Sequence, residues 1–432
     1  MENKKIIIIV AVVCVVLLSA IALYYFYSSN KEPIVLNMVG VEGVGAHYDF
    51  DLKVLKMFEA ENPGIKVNIV DIKTNAGGVT TDERQDYLVK HLSSGSSDID
   101  VFMGDVVWTA DFAANGWVMP LSSYMTDEER SKFLKGPMDS CMAADGKYYC
   151  IPVYTDGGVL YYRKDLLAQD NLAPPKTWND LVNVSLELSS KNKNLTGIVF
   201  QADQYEGLMC NFLEYVWGNN GGIQDGAKFV VSTPQNEEAL QFMTDMIHKY
   251  NMTPPNILTM QEESSREYFF KGNTIFLRNW PYVWGQLKLN PQLDGKVGVI
   301  PMVHNTGGES ASTLGGWNIM VSKYTKNPEA SIKLAKFLTS ERIQKLRAVD
   351  ISQPPTIDSL YQDSDVISAN PFFPLMHDVL IHTHPRPILK GYREASGILQ
   401  KYIYKALSNE MTPKEALNQA QIELDAFQGR TG

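Results

Sequence analysis

Six short segments, far apart in the sequence, carry aromatic, carboxylate or guanidinium side chains close to glycine or proline. They are Asp105–Trp108, Pro152–Gly158, Gln204–Gly207, Arg278–Trp284, Leu314–Trp317 and Pro385–Pro387. Aromatic rings stack on the apolar C–H face of a sugar, and planar polar groups pair with its hydroxyls. Charged groups make the strongest of these hydrogen bonds. If the fold brings these segments together, they predict a carbohydrate-binding cleft.

Two of the segments place carboxylates and aromatic rings at strand ends. Asp105 follows the strand-like run 101–104, and Trp108 comes three residues later. Ligands of open α/β sheets bind outside the carboxyl ends of the strands, although Asp105 also suits a helix N-cap. Tyr154 and Asp156 precede two glycines, which suit either a bend near a ligand or an ordinary turn.

Two further segments supply aromatic rings. Tyr205 and Glu206 form a short candidate segment, with a surface loop as the alternative. Trp280 and Tyr282 flank a proline, so the chain cannot continue there as a regular strand. We interpret these rings as stacking platforms, and packing between lobes is the alternative.

The last two segments combine an approachable main chain with a cation. Gly316 allows a ligand close to the backbone, and Trp317 offers a ring face. Arg386 lies between two prolines, which hold it in a rigid extended loop. An exposed, solvated arginine is the alternative for this position.

Strand and helix signals alternate along the chain that carries these segments. Ile34–Val39 and Ile99–Met103 are strand-like, and Asp49–Asn62 has apolar residues at helical spacing. Such alternation is typical of a parallel sheet covered by helices, and it repeats after Val159. A chain of 432 residues is too long for one core, so we expect an α/β protein of two lobes. No flexible linker separates the two lobes, which indicates ordered hinge strands.

The N-terminal segment predicts a membrane anchor. Ile6 to Tyr27 is a run of 22 uncharged residues after Lys4 and Lys5. As a helix rising about 1.5 Å per residue, it would span the ~30 Å hydrocarbon layer with its N-terminus inside. A cleaved signal peptide is the alternative, but the run is long and ends in aromatic rather than small residues. We therefore predict an anchor and linker over residues 1–33, with the rest of the chain outside the cell.

Charge, histidine spacing and cysteine content limit the ligands, cofactors and disulfides that we expect. A net charge of −10 argues against a nucleic-acid surface, and the seven histidines show no metal-ligand spacing. We expect no metal and no cofactor. Cys141 and Cys150 flank a hairpin-like segment that turns at Asp145–Gly146, and they either form a disulfide or stay unpaired. Cys210 has no partner left and is expected to be a buried thiol.

Nine segments in order resemble ABC-transporter solute-binding proteins of the maltose-binding class, most closely the archaeal trehalose/maltose-binding proteins. They are DIDVFMGDVVW (98–108), FAANGWVMPL (112–121), PVYTDGGVLYYRKDLL (152–167), PPKTWNDL (174–181), QYEGLMCNFLEYVW (204–217), ALQFMTDMIHKY (239–250), FLRNWPYVWG (276–285), TLGGWNIMVSKY (313–324) and PRPI (385–388). Any one segment is weak evidence for the family, but nine segments in the same order are specific to it.

The resemblance implies a two-lobed periplasmic-binding-protein fold of type II that closes over a sugar at a hinge. The implied lobes are 34–153 with 318–352 (N-terminal) and 154–317 with 353–432 (C-terminal). The implied crossings between lobes lie near Tyr154–Asp156, Gly316 and Ser352–Pro355.

The resemblance also assigns sugar contacts. Family positions for contact fall on Asp105, Tyr154, Asp156, Trp280, Tyr282, Gly316, Trp317 and Arg386. Two positions depart from the family pattern. The acidic residue of the first loop is matched only by Asp49, and an arginine near the second helix is replaced by Ser93. Both departures lie in the N-terminal lobe, so the resemblance leaves the identity of the sugar open.

The expected function is that of an extracellular, monomeric substrate-binding component of an ABC importer. It would capture a trehalose- or maltose-like disaccharide or small oligosaccharide by lobe closure and deliver it to the permease subunits, without catalysis. One alternative is a binding protein for a non-sugar solute. Another is a secreted glycoside hydrolase, which needs two carboxylates about 5–9.5 Å apart. Asp105, Asp156 and Glu206 supply carboxylates, but nothing marks one as acid and another as nucleophile.

Overall fold

The structure is a computed structural model that describes residue 19 and residues 32–40, 46–70, 72, 79–226, 228–387 and 391–431. The predicted anchor therefore lies outside the described residues, apart from residue 19. Among the helices that are described, none is both long and apolar enough to cross a membrane.

The described part of the chain alternates between strands and helices, as predicted. The strands are β1 (Ile34–Val39), β2 (Ile65–Ile69), β3 (Val101–Asp105), β4 (Cys150–Gly157), β5 (Val159–Arg163), β6 (Thr196–Val199), β7 (Gln224–Asp225), β8 (Lys228–Phe229), β9 (Thr274–Asn279), β10 (Val297–Ile300) and β11 (Leu314–Val321). The helices are α1 (Ala46–Glu61), α2 (Thr81–Ser93), α3 (Thr109–Ala114), α4 (Asp127–Ser131), α5 (Lys135–Asp139), α6 (Lys164–Gln169), α7 (Trp178–Lys191), α8 (Glu206–Trp217), α9 (Pro234–His248), α10 (Glu262–Phe270), α11 (Val283–Leu287), α12 (Pro328–Leu338), α13 (Glu341–Ile351), α14 (Ser364–Ala369), α15 (Phe373–Ile381), α16 (Tyr392–Leu407) and α17 (Pro413–Thr431). Short 3₁₀ helices span Ser122–Tyr124, Ile257–Thr259 and Asp358–Gln362.

Local capping explains where several helices begin. The Thr80 hydroxyl accepts from the Glu83 N–H at 3.2 Å, and the Glu83 carboxylate accepts from the Thr80 N–H at 2.9 Å. The same reciprocal pair joins Thr177 and Asp180 at the start of α7, so Thr177 is the N-cap of that helix. Each cap satisfies backbone donors that the helix itself leaves unpaired.

Two larger sheets define the two lobes. The first lobe holds a five-stranded sheet in the order β2-β1-β3-β11-β4, and the second holds a four-stranded sheet in the order β10-β5-β9-β6. The prediction of a parallel sheet holds for β1, β2 and β3, whereas β11 and β4 run antiparallel to their neighbours. The second sheet has one parallel pair, β6 with β9. Parallel pairs need a helical crossover, and β4 and β11 instead connect the first sheet directly to the second lobe.

Separate apolar cores support the two lobes. Phe58, Leu36 and Ile319 belong to a fully buried cluster beneath the five-stranded sheet. A larger cluster around Phe212 and Phe276 surrounds the four-stranded sheet. Two separate cores agree with the prediction of two lobes, which was made because a chain of this length is too long for one core.

Strand ends mark the passages between lobes. Strand β4 ends at Gly157 in the first sheet, and β5 begins at Val159 in the second, so Gly158 alone separates them. A Cβ on Gly158 would lie 1.9 Å from a Glu214 oxygen, which explains why glycine is required there. Within β4, before this glycine, the Thr155 N–H donates to the Pro354 carbonyl at 3.1 Å, so two connecting segments run side by side.

A disulfide closes a hairpin in the first lobe. Cys141 and Cys150 are bonded, with Cα atoms 5.0 Å apart, and both are fully buried. Between them Gly146 takes a φ of +75°, which suits the tight turn expected at this position. Cys210 is a free, buried thiol in α8.

Candidate functional site

The end of the five-stranded sheet brings five predicted site residues together. Strand register places Trp317 opposite Asp105 on one side and opposite Tyr154 on the other. Gly315 and Gly316 lie opposite Asp156 and Thr155. Gly316 has a φ of +119°, and a Cβ there would lie 2.5 Å from the Tyr154 carbonyl oxygen. Glycine is therefore needed for the two strands to meet at the site.

Arg386 joins the two lobes through buried ion pairs. One guanidinium nitrogen donates to Asp105 Oδ1 at 2.7 Å, and another donates to Glu206 Oε1 at 2.8 Å. Asp105 belongs to the first lobe, whereas Glu206 begins α8 of the second. Arg386 is only 2% exposed, so the alternative of a solvated arginine is wrong. Asp105 is not a helix N-cap, since its Oδ1 accepts from the Val107 N–H at 3.0 Å before α3 begins.

Glu206 also collects hydrogen bonds from one face of α16. Its carboxylate accepts from the Tyr392 hydroxyl at 2.7 Å, the Ser396 hydroxyl at 2.5 Å and the Gln400 amide at 3.4 Å. Sequence reasoning missed these three residues. Their spacing of four places them on one helix face, a signal that is visible in the sequence but does not by itself name a partner.

The segment after Arg386 adds further polar contacts between the lobes. The Gly391 N–H donates to Asp111 Oδ1 at 2.6 Å, and Arg393 forms an ion pair with Asp86. Tyr392 packs into the apolar cluster of the first lobe, although its helix belongs to the second. The lobes are therefore in close contact along this segment.

Burial and neighbouring charges shift the pKa values of this cluster. Burial raises the pKa of Asp105, against the opposing effect of the Arg386 guanidinium. Burial, followed by the nearby Glu206 carboxylate, raises the pKa of Asp82 to about 6. Burial alone would lower the pKa of Arg386, but Asp105 and Glu206 hold that pKa above its ordinary value. The guanidinium thus stays charged between the two carboxylates.

A second group of candidates forms an aromatic wall, defined here as Tyr205, Trp280 and Tyr282. The Tyr205 hydroxyl donates to Glu262 Oε2 at 2.6 Å, and the Trp280 indole N–H donates to Glu262 Oε1 at 3.4 Å. The Tyr282 hydroxyl donates to Glu263 Oε1 at 2.6 Å. Sequence reasoning missed both glutamates, because they lie at the start of a helix that was not among the predicted elements.

Buried charge supports one face of the Trp280 ring. The guanidinium carbon of Arg278 lies 4.1 Å from the ring centroid, a cation–π distance. Arg278 is held in turn by Glu214, whose two oxygens accept at 2.8 and 2.5 Å, and both side chains are fully buried. The side-chain oxygen of Gln201 accepts a third hydrogen bond from Arg278 at 3.0 Å. The position of Trp280 is therefore tied to the core of the second lobe.

The aromatic wall meets the first lobe at Gly315 and at α1. A Cβ on Gly315 would lie 3.1 Å from both the Trp280 ring and the Asp156 Cβ, so these two side chains lie close to the same point. The His47 ring contacts the Tyr282 ring edge-on at 5.7 Å. His47 is buried, whereas the predicted Asp49 is exposed in the same first turn of α1.

Three remaining candidates are mainly packing residues. Trp108 is 3% exposed and stacks on Phe112 at 5.8 Å. Tyr154 is buried in the first-lobe core, with Arg347 5.6 Å above its ring. Trp317 is partly buried and meets Trp108 edge-on at 5.5 Å.

The buried Asp156 carboxyl should make the stability of the protein depend on pH. Burial raises its pKa to about 7, against the opposing effects of His47 and Arg278, and its Oδ1 has no hydrogen-bond partner among the described residues. An unfolded aspartate titrates near 3.9, so the folded protein binds the extra proton between these values. Stability should therefore fall as pH rises from about 4 to 7, by on the order of 2–4 kcal/mol from this group.

Urea unfolding of the wild type and of Asp156→Asn between pH 4 and 8 measures this effect. The asparagine variant lacks the titrating group, so its free energy of unfolding should rise relative to the wild type as pH increases. Parallel pH profiles for the two proteins would rule out a raised pKa at Asp156.

Known proteins resemble this chain over most of its length. A family model for bacterial extracellular solute-binding proteins matches residues 45–345. The chain belongs to this family. This solute-binding protein is 34% identical to a probable ABC transporter-binding protein of Deinococcus radiodurans over 383 residues, which cover 86% of the chain and 89% of the relative. An arabinooligosaccharide-binding protein of Bacillus subtilis is 22% identical over 402 residues, with coverage of 88% and 90%.

Solved structures agree with this membership. The maltose-bound MalE3 of T. maritima shares 36% identity at a TM-score of 0.85, and the match covers 91% of this solute-binding protein and 100% of that chain. These findings confirm the resemblance and the two-lobed α/β fold that it implied. The protein is the extracellular solute-binding component of an ABC transporter. Its family consists of solute-binding proteins rather than enzymes, so the glycoside hydrolase alternative is wrong.

Proposed function

We propose that this solute-binding protein captures a maltose-like disaccharide or small oligosaccharide and delivers it to the permease of an ABC importer. The observation that carries the proposal is the junction of the lobes, where Trp280 of the aromatic wall and Asp156 lie against Gly315 and Arg386 joins Asp105 to Glu206. Rings supply stacking faces, and the charged groups suit sugar hydroxyls. The maltose in T. maritima MalE3 supports the sugar class, and trehalose is a second candidate ligand.

The proposed mechanism is lobe closure. Candidate residues come from both lobes, so a sugar between them makes its full set of contacts only when the lobes are closed. Its extra contacts in that state shift the population toward closure. We propose that the hinge runs through β4 and β11, which the five-stranded sheet shares, with lobe boundaries at 34–153 with 318–352 and at 154–317 with 353–432.

We also infer that the N-terminal segment stays in place as an anchor and holds a monomeric binding domain outside the cell. The support is the uncharged run from Ile6 to Tyr27 after two lysines. The intact mass of the protein purified from membranes tests this inference. A chain that has lost its first residues up to about Tyr27 would contradict it.

Isothermal titration of the full-length protein in detergent tests the proposed ligand class. The panel contains maltose, trehalose, maltotriose, an arabino-oligosaccharide and a free amino acid. We expect saturable sugar binding that Trp280→Ala weakens by more than about 1 kcal/mol, because the variant loses an aromatic platform. Tyr250→Ala removes a partly buried ring just beyond α9 and should leave the affinity unchanged. Binding of the amino acid alone would favour the non-sugar alternative, and unchanged affinity in Trp280→Ala would remove Trp280 from the site.

A further inference from the structure

One carboxylate holds two rings of the aromatic wall at once. Glu262 Oε2 accepts from the Tyr205 hydroxyl at 2.6 Å, and Oε1 accepts from the Trp280 indole N–H at 3.4 Å. Tyr205 precedes α8, whereas Trp280 follows β9, so the two rings come from different elements. A side chain with two acceptor oxygens can join these donors, whereas a single hydroxyl or amide oxygen would leave one of them less well satisfied.

The contacts around Glu262 hold its backbone and its carboxylate in place. Glu262 is the first residue of α10, where the helix dipole favours a negative charge. The Asn279 side-chain amide donates to the Glu262 backbone carbonyl at 3.0 Å, and the Asn279 side-chain oxygen accepts from the Trp280 backbone N–H at 2.8 Å. The start of α10 is therefore bonded directly to the end of β9 that carries Trp280.

Neighbouring groups contact the Trp280 ring on one face, at its indole N–H and along one edge. Arg278 lies over the ring at 4.1 Å, Glu262 takes its N–H, and one ring edge lies beside Gly315. The partly buried ring is held from two sides by Arg278 and Glu262 of the second lobe, and it meets the first lobe at Gly315. A platform held in this way loses little further freedom when it stacks on a ligand, which preserves affinity.

We propose that Glu262 is a positioning residue that orients Trp280 and Tyr205 for stacking on the solute. This inference rests on the proposed function. Glu262 acts through the two rings and needs no contact with the ligand itself. Loss of its carboxylate frees the indole and the phenol to leave the orientation that the site requires.

Three variants of α10 test the proposal in the full-length protein. Glu262→Ala should raise the Kd for maltose about tenfold, and Glu262→Gln should recover part of the loss, since its one acceptor oxygen can still bind one ring. Glu267→Ala is the matched control, because this glutamate is exposed on the same helix. Its Kd should equal that of the wild type.

Fluorine NMR of protein labelled with 5-fluorotryptophan gives a readout specific to the ring. The Trp280 signal is assigned by its absence in Trp280→Phe. In the absence of ligand it should shift or broaden in Glu262→Ala, return toward its wild-type position in Glu262→Gln, and stay in place in Glu267→Ala. An unchanged Trp280 signal in Glu262→Ala overturns the proposal, as does a shifted signal with unchanged affinity. If the wild type binds no sugar of the panel, the proposed function fails, while the fluorine signal still decides whether Glu262 orients the ring.

Discussion

Replacement of Arg386 by methionine is expected to lower the free energy of unfolding by about 3–5 kcal/mol, because it leaves two buried carboxylates without their cation. Asp105 and Glu206 are 7% and 5% exposed, so water cannot take over the role of the guanidinium. The same change should weaken sugar binding, since Arg386 is the group that joins the lobes at the candidate site. Urea unfolding and calorimetric titration at pH 7 measure the two effects.

Arg393→Met is the matched control for this prediction. Arg393 comes from the same segment and also pairs with a first-lobe carboxylate, Asp86, but the two side chains are 41% and 60% exposed. Exposed pairs contribute about 0–1 kcal/mol, so this variant should stay close to the wild type. Equal losses in the two variants would show that burial of the Arg386 cluster is not what makes it important.

Replacement of Arg278 by methionine is expected to have a second large effect. The Arg278–Glu214 pair has no exposed surface on either side chain, so the variant isolates a charged Glu214 inside the second lobe. We expect a loss of about 3–5 kcal/mol in the free energy of unfolding. Trp280 also loses the cation above its ring, which should lower the affinity for the sugar. Denaturation and titration of the purified variant measure both changes.

A double variant separates the lost ion pair from the buried charge that is left behind. Arg278→Met combined with Glu214→Gln removes both charges and should recover part of the stability lost in the single variant. The affinity should stay low in the double variant, because the ring still lacks its cation. Arg342→Met breaks an exposed pair with Glu61 and serves as a control with little expected effect. A double variant as unstable as the single one would contradict a dominant role for the isolated carboxylate.

The proposed lobe closure assigns different roles to these two arginines. Arg278 lies wholly within the second lobe and fixes the back of the aromatic wall. Arg386 contacts carboxylates of both lobes, so its ion pair with Asp105 exists only when the lobes are in contact. A buried ion pair contributes little net stability by itself, but it sets the geometry in which two surfaces meet.

The pattern of elements was largely readable from the sequence. The alternation of strands and helices, the cap at Thr177 and the turn at Gly146 follow from propensities and local hydrogen bonds, which act over a few residues. Several helices were not predicted, and α10 and α15 are two of them. Mostly polar residues begin α10 and an almost wholly apolar run forms α15, so neither shows a clear amphipathic pattern.

The types of the site residues were also readable, but their partners were not. Rings, carboxylates and an arginine near glycines predicted a carbohydrate-binding cleft, and strand register brings Asp105, Trp317 and Asp156 to one sheet edge. The antiparallel direction of β4 and β11 depends on how the chain passes between lobes, which no local pattern encodes.

The sequence by itself determined the class of protein and most of the side chains available to bind a ligand, because composition and local spacing carry that information. Only the tertiary structure decided which polar and charged side chains pair with each other. Arg386 finds Glu206 and Asp105 at separations of 180 and 281 residues, and Glu262 finds Tyr205 across 57 residues. Such pairs form because burial makes an unpaired charge unfavourable wherever the folded lobes place it, and that placement is a property of the whole packed chain.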